Sequence, residues 1–137
     1  MVNNMVKKNP HEEQLKRALA DYQNLKKRVE ADRTEFIKYV LSQFLLKLLP
    51  VLDDLEAAAG HLKDQGLDLA VNKFKTILNE EGVKEMSLIN QAFDPKLAEC
   101  LELIPGKKDQ VVEVAQKGYL LNDKVLRPAR VKVGKGD

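Results

Sequence analysis

HEEQLKRALADYQNLKKRVEADRTEFIKYVLSQFLLKLLPVLDDLEAAA, residues 11–59, contains no glycine and a single proline, Pro50. Most of its residues are strong helix formers, so it reads as one very long helix or two in tandem. Leu15, Ala18, Tyr22, Leu25, Val29, Asp32, Phe36 and Tyr39 fall at alternating steps of three and four, the seam spacing of a coiled coil. A stripe this narrow matches one partner helix. Asp32 interrupts it, which predicts a loosely paired segment or a local eleven-residue phase through Ala18, Val29 and Val40.

Beyond Tyr39 the apolar positions widen to Val40, Leu41, Phe44, Leu45, Leu48, Leu49, Val51, Leu52 and Leu55. So broad a face buries against more than one neighbour, as in a helix bundle. Pro50 lies inside it, where it removes a backbone donor and crowds the Leu46 carbonyl, so a kink or break is expected there. Gly60 and Gly66 are expected to bracket a polar loop. Leu67, Ala70, Val71, Phe74, Ile77 and Leu78 then repeat at helical spacing until Gly82 supplies a C-terminal cap. This second, short helix is suited to completing the bundle.

After Gly82 the pattern changes to short Val-, Leu- and Ile-rich segments separated by turn residues. Residues 83–89, 99–104, 110–115, 119–121 and 125–133 read as strands of a small β domain, with Asn122-Asp123 as a hairpin turn. Asp94-Pro95 reads as an N-cap followed by proline at the first helical position, predicting one helical turn between strands. Pro128 cannot donate to a ladder and is expected at an edge or bulge.

Composition excludes several classes. With 23 basic and 21 acidic residues the net charge is +2, so no global field points to nucleic acid or an anionic membrane. The cluster Lys26-Lys27-Arg28 is flanked by Asp21, Glu30 and Asp32 and lacks interleaved aromatics, which argues against nucleic acid and leaves a solvated face or a protein contact. No apolar run reaches the roughly 20 residues needed to span a bilayer, and the polar start, Met1 to Pro10, has no secretion-signal core. The expected location is the cytoplasm. Cys100, the one cysteine, forms no intrachain disulfide and, beside Leu101 and Leu103, is expected to be a buried structural thiol.

No catalytic constellation is legible. His11 and His61 are far apart in polar surroundings, and one cysteine with two separated histidines makes no metal motif. Gly106-Lys107-Lys108-Asp109 lacks the upstream glycine and the following Ser or Thr of a phosphate loop and reads as a β turn. Asp53-Asp54 with Glu56 follows the Leu-rich face at helical spacing and reads as its solvent side. The expectation is a chain that is not an enzyme, with no cofactor, no metal and no small-molecule substrate.

Four pieces of the chain, in order, resemble the GrpE family, nucleotide exchange factors of the DnaK chaperone. They are Ala18-Leu19-Ala20-Asp21-Tyr22-Gln23-Asn24-Leu25-Lys26-Lys27-Arg28; Phe44 through Leu49-Pro50-Val51-Leu52-Asp53-Asp54-Leu55-Glu56; Phe93-Asp94-Pro95; and Gly118-Tyr119-Leu120-Leu121-Asn122-Asp123-Lys124-Val125-Leu126-Arg127-Pro128-Ala129. There are departures. Ala98-Glu99-Cys100 stands where the family usually has His-Glu-Ala, and Lys124 stands where Arg is common, keeping the charge without the bidentate fork.

The resemblance implies an α+β fold: a coiled-coil stalk helix over residues 11–49, a bundle region over 50–82 that forms a dimeric four-helix bundle, and a β domain over 83–137, after a disordered start over 1–10. It implies a homodimer joined through Leu15, Tyr22, Leu25, Val29, Phe36, Phe44, Leu48, Leu52, Leu55 and Phe74. It also implies a co-chaperone that binds the ATPase domain of a DnaK-type chaperone and accelerates ADP release. The contact residues it implies are Lys124, Arg127, Lys117, Tyr119 and Asn122 of the β domain, with Lys26 and Arg28 of the helix. For Arg127 an alternative is that it pins the β domain through its own hydrogen bonds. Two other readings are a dimeric adaptor on the same scaffold without exchange activity and an unrelated enzyme with a site among the β-domain loops.

Overall fold

The computed structural model describes residues 9–136. The expected disordered start therefore lies outside the described residues, except for Asn9 and Pro10. Two compact units divide the chain between Leu41 and Ser42.

The first unit is helix. α1 spans Pro10–Leu62, and its N-terminal part makes up this unit. Asn9 caps it: the Asn9 side-chain oxygen accepts from the His11 N–H at 2.9 Å, and its carbonyl accepts from Glu12 and Glu13. Pro10 sits at the first helical position, where its missing donor costs nothing, and Glu12 and Glu13 meet the positive end of the helix dipole. The seam residues Leu15, Tyr22, Leu25, Val29 and Phe36 all lie on the surface of the chain, Phe36 at 65% exposure.

The second unit begins with the rest of α1. The helix passes through Pro50 without interruption, so of the expected kink or break, the break does not occur. Pro50 is exposed, so its loss of one hydrogen bond and its clash, about 3 kcal/mol, oppose the burial of Leu45, Leu49 and Leu52 on the inner face, each contributing about 1.5–3 kcal/mol. Burial on both sides of the proline wins. The glycine-bracketed loop is also shorter than expected. Gly60 remains helical, and the connection is Lys63, in the left-handed region at φ 52°, followed by Asp64. Asp64 caps α2, Gln65–Glu80, by accepting from the Gly66 N–H at 3.3 Å.

Val71 and Leu78 are the buried face of α2. Gly82 ends it as expected: at φ 91° it takes the conformation that glycine adopts without strain, and its N–H donates to the Asn79 carbonyl at 3.0 Å.

Six strands follow rather than five: β1 Val83–Glu85, β2 Ala98–Lys108, β3 Val111–Gln116, β4 Tyr119–Leu121, β5 Lys124–Arg127 and β6 Ala129–Gly134. They form two three-stranded sheets in the orders β1-β4-β5 and β2-β6-β3. The first is antiparallel throughout. In the second, β6 runs parallel to β2 and antiparallel to β3, so the domain is mixed. Pro128 lies between β5 and β6. It follows the edge strand β5, as one of the two expected alternatives had it, and marks not a bulge within one long strand but the point where the chain leaves one sheet for the other, a place that needs no ladder donor.

Asp94 caps a hydrogen-bonded turn before β2, its side chain accepting from the Lys96 N–H at 2.9 Å and its carbonyl from Leu97 and Ala98. The turn after β2 lies around Asp109, φ 61°, with Gln110 N–H donating to the Lys107 carbonyl, one residue later than the sequence pattern placed it. Cys100 is exposed, as are Leu101 and Leu103. β2 lies at the sheet edge with a register shift between Cys100 and Glu102, so its apolar run is not enclosed as a buried strand would be.

Leu88, Ala98, Val111, Ala129, Val131 and Val133 form the β core, flanked by Met86, Phe93, Leu97 and Val114. Gly118 shows how tightly the two sheets meet. A Cβ added there would stand 2.6 Å from the Ala129 nitrogen, 2.7 Å from Met86 Sδ and 2.9 Å from Ala129 Cβ. Gly118→Ala should therefore cost about 1–3 kcal/mol through overpacking. Urea denaturation showing no loss of stability would contradict that close approach.

Candidate functional site

The Gly118–Ala129 run folds into the β4–β5 hairpin. Asn122 and Asp123 both have positive φ, 49° and 69°, the pattern of a type I′ turn, whose twist matches that of the flanking strands. Leu121 pairs with Lys124 across the turn, and Tyr119 with Arg127 at its base. Asn122 N–H donates to the Gly82 carbonyl at 3.0 Å, which seats the turn against the end of α2. Lys124 and Asn122 are exposed at the tip. A cleft of about 210 Å³ lined by Gly82, Lys84, Leu120, Asn122 and Asp123 lies beside them. Lys84 was not singled out from the sequence, because nothing in a linear reading brings β1 next to the turn.

The base of the hairpin is a different environment. The Arg127 side chain is 11% exposed; its Nη1 and Nη2 donate to the two carboxylate oxygens of Asp53 at 2.7 and 3.1 Å, and its Nε and Nη2 donate to the Lys117 carbonyl at 3.0 and 2.6 Å. The guanidinium also lies 5.2 Å from the Tyr119 ring centroid. Lys117 donates to Glu56 at 2.5 Å and pairs with Glu85 at 2.9 Å, while Lys75 lies 3.5 Å from Glu56. Burial works against the Lys117 charge, but hydrogen bonds to Glu56 and Glu85 outweigh it and leave the ammonium more firmly protonated than an ordinary lysine.

These contacts revise several sequence readings. Asp53 and Glu56 are not the solvent side of α1 but the partners that receive the hairpin; only Asp54 between them is exposed. Their spacing of three was the available signal, since it places both on one helix face. Arg127 is pinned internally, the alternative the sequence left open. Tyr119, named as a contact, is 4% exposed, and Leu52, named for the dimer, is fully buried within its own chain. Neither has surface to offer a partner. Leu48, Leu55 and Phe74 are half-buried and Phe44 is exposed. Lys26 and Arg28, on the first unit, are exposed.

Tyr119 closes a small cleft of about 190 Å³ with Leu52, Lys75, Leu78, Asn79 and Glu85, where α1, α2, β1 and β4 meet. Its hydroxyl and Glu56 Oε1 are buried without a hydrogen-bond partner among the described residues. Among the described residues no group of three or more His, Cys, Asp or Glu side chains is placed to hold a metal ion, and no helix is long and apolar enough to cross a membrane.

The chain thus combines a long capped helix, a shorter helix and a small mixed β domain that presents a tight hairpin with an exposed lysine at its tip. The sequence profile of the GrpE family matches residues 2–135, and the chain belongs to that family. It is 39% identical over 127 residues to Protein GrpE of Caldanaerobacter subterraneus subsp. tengcongensis, covering 87% of this chain and 62% of the relative. It is 38% identical over 129 residues to Protein GrpE of Hydrogenovibrio crunogenus, covering 85% and 69%, and 38% identical over 135 residues to that of Helicobacter hepaticus, covering 90% and 72%. The chain thus spans about two thirds of the length of the curated relatives it matches.

Burial pushes the Tyr119 phenol up to about 12 from its ordinary 10.0, with Glu56, Glu85 and Asp53 adding to the effect and Lys117 opposing it. A folded-state value raised in this way gives stability that is complete below pH 10 and is lost as pH rises from about 10 through 12. Lys117, also raised, adds to the same alkaline loss. Tyr119→Phe should leave neutral-pH stability unchanged or higher, because the removed hydroxyl has no partner, and should flatten the alkaline limb of a denaturation series. An unchanged alkaline slope would show that Tyr119 does not ionise on unfolding.

Proposed function

We propose that this chain is a co-chaperone that binds the ATPase domain of a DnaK-type chaperone, favours its open nucleotide cleft and so accelerates ADP release in protein folding and the stress response, in the cytoplasm. The observation that carries this reading is the hairpin: the family run Gly118–Ala129 is present with Lys124 where Arg is common, and its tip presents that lysine to solvent on a base fixed by Arg127. Asn122 beside it and the exposed part of Lys117 extend the same contact. On the first unit, taken by itself, Lys26 and Arg28 offer a separate cationic contact. Exchange follows from linkage: a partner that prefers the open cleft weakens ADP, and ADP weakens the partner by the same factor. No bond is made or broken by this chain.

The acting form is a homodimer. Leu15, Tyr22, Leu25, Val29 and Phe36 on the first unit, and Phe44 and Val51 on the second, are apolar side chains between 48% and 65% exposed. Such a stripe is covered in water by a second copy of the same helix. Residues 11–49 then serve as the stalk, 50–82 as the bundle region that completes four helices across the pair, and 83–137 as the domain that meets the chaperone. Sedimentation equilibrium should return the dimer mass at micromolar concentration; a stable monomer there would overturn this assembly.

In a stimulated ADP release assay with a DnaK-type chaperone, Lys124→Glu should slow release strongly at subsaturating concentration while dimer mass and melting stay unchanged, since charge reversal at an exposed contact weakens association without touching a core. Lys124→Arg should preserve or improve release by restoring the bidentate fork. Full activity of the Lys124→Glu protein would remove the hairpin tip from the contact.

A further inference from the structure

The chain connection between the helices and the β domain runs through Glu81 and Gly82 at the end of α2. Besides the cleft that Tyr119 shares with Leu52, two ion pairs join α1 to the hairpin and the segment just before it: Arg127 on Asp53 and Lys117 on Glu56. Asp53 and Glu56 lie three residues apart, about 4.5 Å of helix rise. The β1–β4 ladder and the Asn122 N–H on the Gly82 carbonyl tie the hairpin to β1 and the end of α2; relative to α1, one side-chain anchor would leave an axis of rotation, whereas two define an angle. Arg127 locks the anchors to each other by donating to the Lys117 carbonyl from both Nε and Nη2. Lys117 carries the network to β1 through Glu85, and Lys75 carries it to α2 through Glu56.

Three carboxylates, Asp53, Glu56 and Glu85, balance three cations, Arg127, Lys117 and Lys75, so the cluster has no net charge with which to attract a ligand. Its central members are largely covered, Arg127 at 11% and Glu56 at 18% side-chain exposure. A neutral and partly buried network of this kind fixes position, leaving only its exposed edge at Lys117 to a partner's surface. Arg127 also ends the strand that begins with Lys124, so whatever fixes Arg127 fixes the direction of the exposed cation three residues away.

We propose that Arg127 and Lys117 are positioning residues for nucleotide exchange: clamped on Asp53 and Glu56, they set the angle between the Tyr119–Arg127 hairpin and α1, and with it the direction from which Lys124 meets the chaperone. This rests on the exchange reading above. A hairpin that pivots can follow a chaperone lobe as it moves, and so binds the closed and open cleft about equally; a ligand with equal affinity for two states shifts neither. Fixing the angle converts binding into a preference.

The test uses the full chain and the ATPase domain of a DnaK-type chaperone, and measures affinity for the ADP-bound and the nucleotide-free forms. The unaltered chain should prefer the nucleotide-free form. In the nearly isosteric double variant Asp53→Asn with Glu56→Gln, that preference should shrink about tenfold, within the 5–150-fold span typical of coupling between sites, while affinity for the ADP-bound form changes little. Arg127→Lys, which keeps the charge but loses the fork, should give a smaller shrinkage in the same direction, and it carries the test if circular dichroism shows the double variant unfolded. A role in stability alone would lower melting without moving the preference of the folded molecules. An unchanged preference in a folded variant, or an equal loss of both affinities, overturns the positioning role while leaving the exchange reading intact. An unaltered chain with no preference overturns the exchange reading, and this inference with it.

Discussion

The bidentate contact of Arg127 with Asp53 is the interaction on which the arrangement of the second unit turns. It joins residues 74 positions apart in sequence, and it does so at the end of β5, just before Pro128 takes the chain into the other sheet. A largely covered guanidinium needs most of its donors satisfied, because an uncompensated charge in a covered site costs several kcal/mol. Four hydrogen bonds to two groups, Asp53 and the Lys117 carbonyl, meet that demand. The rest follows geometrically: β4 is brought to the helices, Tyr119 is covered, and the turn at Asn122-Asp123 projects away from the cluster.

The same arrangement separates two uses of charge. At the base of the hairpin, opposite charges are paired, shielded and spent on holding elements together. At the tip, Lys124 stays in water, where its charge is unshielded by protein. On the sheet of β2, β6 and β3, Lys132 stands between Glu102 and Glu113 at 3.3 and 3.6 Å; hydrogen bonding to Glu102, with the field of Glu113, raises its pKa. These exposed pairs contribute little stability.

The first unit shows the complementary economy. Its described residues up to Val40 are all exposed within one chain, and intrinsic helix propensity and a capped start are what hold it as a helix. Isolated helices gain most of their stability from packing an apolar face, which is the physical reason the proposed second copy matters to this segment more than to the β domain with its own core.

Residues 11–59 by themselves determined a long helix, because the absence of glycine and the seam spacing are local properties that need no tertiary knowledge. Gly82, the Asn122-Asp123 turn and the Asp94 cap were legible for the same reason: each depends on backbone conformations that few residue types adopt. The family was legible too, since four motifs in order survive as sequence. Tertiary structure decided the remainder. Whether Pro50 breaks a helix depends on how much its two sides bury, and Pro128, expected at an edge or bulge, is a crossing between sheets because β5 and β6 belong to different ones. Cys100 lies open because its strand is at an edge. Asp53 and Glu56, which look like solvated carboxylates on a line of sequence, became anchors because their partners lie more than 60 residues away. Charge pairing acts over a few ångströms in space, and only the folded chain sets which charges come that close.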